Sequence, residues 1–182
     1  MARYVKISTF GVIPTIGRDG LSIEESVQRM IEFWDGQLAN VLPDRPDLIV
    51  MPECCDRYPD MSVEERKAYY QVRGDQVRDF FATKASENKC YVAYAAGREM
   101  PDGTFRNSTQ IIDRDGHVAG IYNKNHLVIE EITKAGILCG KDAALIQTDF
   151  GAIGCAICFD LNFAELRQKY KALKPDLIIF PS

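Results

Sequence analysis

One seven-residue segment occurs twice in nearly the same form, and it constrains the fold more than any other feature of the chain. Pro46-Asp47-Leu48-Ile49-Val50-Met51-Pro52 returns as Pro175-Asp176-Leu177-Ile178-Ile179-Phe180-Pro181, each copy preceded by a helical segment. A short apolar run with no polar alternation, bounded by prolines, reads as an apolar strand. Two such strands in matching settings imply two similar strand-helix-strand halves that face each other.

The segments between them read as alternating helix and strand. Ser22-Ile23-Glu24-Glu25 forms a capping box, and Val27, Ile31, Trp34, Leu38 and Val41 continue along one helical face. A second box, Ser62-Val63-Glu64-Glu65, opens another helix. Asp75 restarts the helix after Gly74, with Val77, Phe80, Phe81, Lys84 and Ala85 turned inward. Strands are expected at 90–96, 145–148 and 152–157. Asp102-Gly103 and Asp115-Gly116 punctuate short strands and predict hairpins over 107–112 and 117–122. Residues 125–142 read as a loop. With 182 residues, 46% of them hydrophobic, and no linker or low-complexity stretch, the chain is expected to form one domain over 1–182.

Three of these strands end on reactive groups. The run Ala152-Ile153-Gly154-Cys155-Ala156-Ile157 ends at Cys158, and a polar segment, Phe159-Asp160-Leu161-Asn162, follows at once. A thiol in such a strand-to-helix turn can meet a substrate beside backbone amides at a helix N-terminus, which makes Cys158 a candidate nucleophile. The run from Asp47 ends on Glu53, and the strand through Gly120-Ile121-Tyr122-Asn123 leads into Lys124. A base, a cation and a thiol are the groups that acyl transfer needs.

With these segments in this order, the chain resembles the carbon-nitrogen hydrolases of the nitrilase superfamily. The resemblance is collinear from the first strand, Tyr4-Val5-Lys6-Ile7, through residues 47–53, Arg106-Asn107-Ser108, Lys124-Asn125-His126-Leu127 and residues 154–166. It implies an α/β fold, the α-β-β-α sandwich in which two sheets pack face to face with helices outside. It also implies cofactor-free hydrolysis of a small amide or nitrile. Cys158 would attack and carry the acyl group as a thioester. Glu53 would move the proton from thiol to leaving amine and then activate water. Lys124 would stand by the oxyanion with the backbone amide of Phe159, and its charge would favour thiolate at Cys158. Of Glu130 and Glu131, the resemblance selects Glu131 as a second glutamate holding the lysine or the substrate, on its distance from Lys124. Arg57 and Tyr58 are candidates to line the pocket, and Arg57 to meet a substrate carboxylate. Asn162 and Ala164 depart from the Arg and Pro common after the family cysteine, so the bracing of that turn is not carried over. Family members generally continue beyond the position of Phe180-Pro181-Ser182. The fold is therefore expected to be incomplete at the C-terminal end, and the chain to assemble through the uncovered surface, as a homo-oligomer or with a complementary fragment, or else to be weakly folded and inactive alone.

Other classes fit less well. The net charge is −4 and the basic residues are scattered, which gives no reason to expect nucleic acid. No apolar run nears the roughly 18 residues of a membrane span, and the N-terminus lacks the long apolar core of a secretory signal. Six cysteines in 182 residues lie below the roughly 8–10% of disulfide scaffolds, which points to reduced thiols and a cytoplasmic protein. Cys155 and Cys158 form a Cys-x-x-Cys, but Cys155 falls inside the strand, away from or beneath the site. The only histidines, His117 and His126, lack partners at zinc-ligand spacing, so no metal is expected, and His126 reads as structural. Two alternatives to an amide hydrolase remain: a nitrilase acting on nitriles, and a non-catalytic binding or scaffold protein that keeps the fold.

Overall fold

Both copies of the repeated segment are strands, and both are anchored in the same way. In the computed structural model, which describes residues 4–182, β1 (Ile7–Thr9) runs parallel to β2 (Leu48–Val50), with Ile7 opposite Leu48. The second copy is β8 (Leu177–Ile179), parallel to β7 (Gly151–Cys155), with Ile153 opposite Leu177. The Asp47 carboxylate accepts from the Lys6 backbone N–H at 3.0 Å, and the Asp176 carboxylate accepts from that of Ala152 at 2.8 Å. The N–H of each aspartate donates back to the same partner residue, at 2.7 and 2.9 Å. Each aspartate thus lengthens a short parallel ladder by one rung, so the sequence echo is a structural echo. The first three residues of the expected 1–182 domain lie outside the described residues.

β1 begins at Ile7 rather than at Tyr4, which is 94% exposed, and its register with β2 starts with Ile7 opposite Leu48. β3 (Tyr91–Glu99), β4 (Phe105–Ile112) and β5 (Val118–Asn123) extend this sheet to five strands in the order β1-β2-β3-β4-β5. The two Asp-Gly steps make the antiparallel turns, with Gly103 at φ +76° and Gly116 at φ +85°. At Gly116 a Cβ would lie 2.9 Å from the Ala82 carbonyl, so glycine is required on both counts. β6 (Ile146–Thr148), β7 and β8 form the second sheet.

The two sheets pack face to face. Leu48, Val50, Tyr91, Ala93, Ile111 and Tyr122 of the first meet Ile146, Ile153, Cys155, Ile157 and Ile179. Alternation sends Ile49, Met51, Val92, Tyr94 and Ala96 to the other face, under α1 (Ile23–Leu38), α2 (Val63–Arg73) and α3 (Gln76–Asn88). Burial on both faces is why these strands read as continuous apolar runs. α5 (Ala164–Leu173) covers the second sheet through Leu166 and Tyr170, completing the α-β-β-α order.

Both capping boxes are present, Ser22 with Glu25 and Ser62 with Glu65. α1 buries Val27, Met30, Trp34 and Leu38; Ile31 is only half-buried, and Val41 lies beyond the helix end. Trp34 sets this face, since its ring sits against Phe10, Phe33 and Phe81 and its Nε1–H donates to the Cys55 carbonyl at 2.9 Å. On α3 the buried residues are Val77, Phe81 and Ala85, while Lys84 reaches out to Asp35 at 2.6 Å. The expected loop 125–142 holds a short helix, α4 (Ile129–Thr133), whose first turn is closed by the Val128 N–H donating to Glu131 at 2.9 Å. Among the described residues no helix is long and apolar enough to cross a membrane.

Candidate active site

The reactive residues lie where strands of both sheets end, and the backbone turns sharply at two of those ends. Glu53 follows β2, and its neighbour Cys54 has φ +51°; Cys158 opens a 3-10 turn (Cys158–Asn162) after β7 and itself has φ +45°. Non-glycine residues adopt this region only where the surroundings impose it. Here the Cys158 N–H is tied to the Pro181 carbonyl at 2.9 Å. The Glu53 loop is tied down by Asp56, which accepts from Arg73 at 2.6 Å and from Tyr94 at 2.5 Å in full burial.

Lys124 is the hub. It is 2% exposed, and its Nζ lies 2.7 Å from Glu53 Oε1 and 2.9 Å from Glu131 Oε2. The Lys124 N–H donates to the Asn107 carbonyl at 2.8 Å, so strand β4 fixes the lysine's origin. The same asparagine spans the carboxylates, its Nδ2 donating to Glu53 at 2.7 Å and to Glu131 at 2.8 Å. Burial pulls the Lys124 pKa down, but the hydrogen bonds and charges of Glu53 and Glu131 outweigh it and hold the pKa above its ordinary value. The ammonium is therefore a fixed charge.

The Cys158 thiol is hydrogen-bonded to Glu53 and to Ser182, and its pKa is raised. Burial is the main cause, followed by the Glu53 charge; Ser182 and Lys124 act in the opposite direction and are outweighed. The Lys124 charge does favour the thiolate, but burial and the Glu53 charge outweigh it. The thiol faces the Glu53 carboxylate, an arrangement suited to proton transfer between them. The Phe159 N–H has no acceptor among the described residues, so it is free for a ligand.

Glu131, not Glu130, enters the cluster; Glu130 lies on the exposed side of α4. Cys155 packs between the sheets, 1% exposed, with its thiol pushed up to about 12 by burial, and all six cysteines are free. Arg57 lines a cavity beside the site. Tyr58 does not, which corrects that expectation: it is fully buried against Tyr69, its hydroxyl donating to the Ser26 carbonyl at 2.8 Å. His117 is exposed in the β4–β5 turn. His126 stacks on Phe163 at 3.9 Å between Asp160 and Glu165, each at 3.0 Å, a bracing position. Among the described residues no group of His, Cys, Asp or Glu could hold a metal ion.

Two residues escaped the sequence reading as members of the site. Asn107 was visible only as part of the Arg106-Asn107-Ser108 motif; its bridging role depends on carboxylates 54 and 24 residues away. Asp160 is fully buried, and it accepts from the N–H groups of Asn125, His126 and Ile157, from the His126 ring and from the Tyr122 hydroxyl. It thereby joins the lysine segment to the cysteine turn, and it braces that turn where the family's Arg and Pro are absent.

The carbon-nitrogen hydrolase family model matches residues 20–182, and the chain belongs to that family, within the nitrilase superfamily. The omega-amidase NIT2 of Danio rerio is 24% identical over 164 residues, which is 85% of this chain and 55% of that protein. A carbon-nitrogen hydrolase from Helicobacter pylori G27 superposes with a TM-score of 0.76 at 18% identity, covering 98% of this chain and 59% of that one. A mutant amidase from Nesterenkonia sp. AN1, with the acetamide moiety of fluoroacetamide on its active-site cysteine, gives 0.75 at 15% identity, covering 97% and 64%. Against the first curated relatives, the chain spans from 31% to 55% of their length.

Proposed function

We propose that this chain carries the active site of a cofactor-free thiol hydrolase of small amides. The observation that supports it most is the placement of the Cys158 thiol on Glu53, with Lys124 wedged between Glu53 and Glu131. In this reading Glu53 takes the proton as sulfur attacks the amide carbonyl. The C–N bond breaks, Glu53 passes that proton to the departing amine, and the acyl group remains as a thioester. A water then gives one proton to Glu53 as its oxygen attacks the thioester; when the C–S bond breaks, Glu53 returns that proton to sulfur, which releases the acid and regenerates the thiol. Lys124 and the free Phe159 N–H hold the oxyanion in both halves.

The hydrogen bonds favour Glu53 over Glu131 as the base. Glu131 has one oxygen on Asn107 and the other on both Lys124 and the Val128 N–H. Glu53 meets Lys124 and Asn107 through Oε1 alone, which leaves room for the thiol. Glu131 is then a positioning residue. The covalent adduct on the cysteine of the Nesterenkonia amidase is in keeping with this mechanism. The chemistry asks for no metal or cofactor and for a small dissolved substrate, in keeping with a cytoplasmic enzyme. A homo-oligomer is proposed with it, since edge strand β8 exposes Ile178 and leads to an exposed Phe180, each 43% accessible.

The test is intact-protein mass spectrometry after exposure to a panel of amides and matching nitriles. A trapped acyl mass on wild type, absent in Cys158→Ala and kept in Cys155→Ala, is the expected result. An adduct that survives Cys158→Ala, or wild-type turnover by that variant, would refute the reading.

A further inference from the structure

The two copies of the repeated segment are followed by different polar residues at the same position. Glu53 comes after Pro52 in the first copy, and Ser182 comes after Pro181 in the second. The backbone keeps the equivalence up to that point. Ile7 lies opposite Leu48 and Ile153 opposite Leu177; the Phe10 N–H donates to the Val50 carbonyl at 3.0 Å, and the Ala156 N–H donates to the Ile179 carbonyl at 3.1 Å. In the second half the ladder then runs one rung further, with the Cys158 N–H donating to the Pro181 carbonyl at 2.9 Å. Since Cys155 is opposite Ile179, the same register carried along both segments sets Ser182 beside Cys158. Pro52 from one copy and Pro181 and Ser182 from the other line a single groove, so the two copies end at the same place.

Both end residues reach the sulfur, and they act on it in opposite directions. Burial does most to raise the Cys158 pKa, and the charge and hydrogen bond of Glu53 add to it, while the hydrogen bond from Ser182 lowers it. A hydrogen bond that favours the charged form of a thiol is one donated to its sulfur. The charged groups around the sulfur are Glu53 and Lys124, with Glu131 behind the lysine. The Lys124 ammonium is engaged by both glutamates, at 2.7 and 2.9 Å, which leaves the Ser182 hydroxyl to donate to the sulfur.

We infer that Ser182 is a further catalytic residue, the counterpart of Glu53 in the second half of the sandwich, and that its hydroxyl donates to the Cys158 sulfur while that sulfur carries charge. The inference rests on the hydrolase reading above for the reaction, and on the repeat and its register for the contact. In acylation Glu53 takes the thiol proton, the electron pair left on sulfur forms the C–S bond, and Ser182 keeps its own proton throughout. In deacylation the C–S bond breaks and the pair returns to sulfur. The Ser182 hydroxyl then stabilises the departing thiolate until Glu53 hands the proton back. A less basic thiolate leaves faster, so the hydroxyl assists the second half of the reaction as well as the first.

The test compares Ser182→Thr with Ser182→Val, two side chains of the same shape that differ in the hydroxyl; Ser182 is exposed, so the added methyl has room. Iodoacetamide alkylation of Cys158, followed against pH at its own peptide by mass spectrometry, should move to higher pH in Ser182→Val and stay near wild type in Ser182→Thr. That direction is opposite to the one expected of Glu53→Gln. Damage to the fold would affect the two Ser182 variants alike. On an amide that gives an acyl adduct, formation and decay of the adduct should each slow roughly tenfold or more in Ser182→Val, as suits a lost hydrogen bond to a charged acceptor, and Ser182→Thr should recover most of both. An alkylation profile of Ser182→Val that coincides with wild type, a Ser182→Thr profile that moves with it, or adduct kinetics at wild-type rates in Ser182→Val overturns the proposal. An adduct formed by wild type and lost in Cys158→Ala then leaves the hydrolase reading standing. If Ser182→Val alone moves the profile and no amide acylates wild type, the donor on the nucleophile stands and amide hydrolysis falls.

Discussion

Asp160→Asn is a one-atom change with a calculable cost. The Asp160 Oδ1 accepts from the N–H groups of Asn125 and His126 and from the His126 ring, while Oδ2 accepts from Tyr122 at 2.8 Å and from the Ile157 N–H at 2.9 Å. An asparagine keeps one acceptor oxygen and must turn its NH2 toward the other set. With the oxygen on the three-donor side, the NH2 faces Tyr122, whose hydroxyl can rotate and accept, and the Ile157 N–H, which cannot. One buried donor is then stranded, at about 1–3 kcal/mol, and the surviving bonds lose the extra strength of a charged acceptor. Relief of carboxylate desolvation offsets part of this, leaving about 2–4 kcal/mol. For a chain of this size that is a fall of roughly 5–15 °C in Tm, at about 2–4 °C per kcal/mol. Ile157 immediately precedes the strained Cys158, so the thiol also loses its anchor, and acyl-adduct formation should slow by about tenfold or more. Differential scanning calorimetry and timed mass spectrometry read the two effects. A melt within 2 °C of wild type together with unchanged acylation would refute the assignment of Asp160 as the link between lysine and cysteine segments.

Glu53→Gln should lower hydrolysis by roughly 10² to 10⁴, yet it removes a charge and a hydrogen bond that raise the Cys158 pKa. Iodoacetamide alkylation of Cys158 should therefore shift to lower pH in this variant, and an unmoved profile would contradict the thiol-carboxylate contact. Lys124→Ala should cost about 10² to 10³ in rate, measured as kcat/KM on whichever amide gives the largest adduct. Because the folded-state pKa of Lys124 lies above its unfolded value of 10.5, the stability it contributes is present below that pH and is lost as pH rises through the folded value. Chemical denaturation from pH 9 to 12 should show an alkaline decline that is weaker in Lys124→Met, and equal slopes would count against the buried ion pair.

Much of this protein can be read from its residues because the signals are local. Capping boxes close within four residues, Asp-Gly turns demand positive φ where they stand, and strands buried on both faces need continuous apolar runs. Glu53 and Cys158 stood out for a related reason, since each follows an apolar run, whereas Lys124 follows the mostly exposed β5 and stood out by the motif around it. What the sequence left open depends on neighbours distant along the chain. The buried face of α1 turns on which side Trp34 meets Phe10 and Phe81, and Tyr58 is removed from the pocket by Tyr69 and the Ser26 carbonyl. The raised thiol pKa follows from burial against Glu53, 105 residues away by the numbering, and no local pattern sets that balance. Asn107 and Asp160 are ordinary polar residues in sequence and become bridges only when packing removes water and brings their partners within 2.7–3.1 Å. Sequence periodicity determines which surfaces must be buried, while long-range packing determines which polar atoms are buried together, and on that second outcome the chemistry of the site depends.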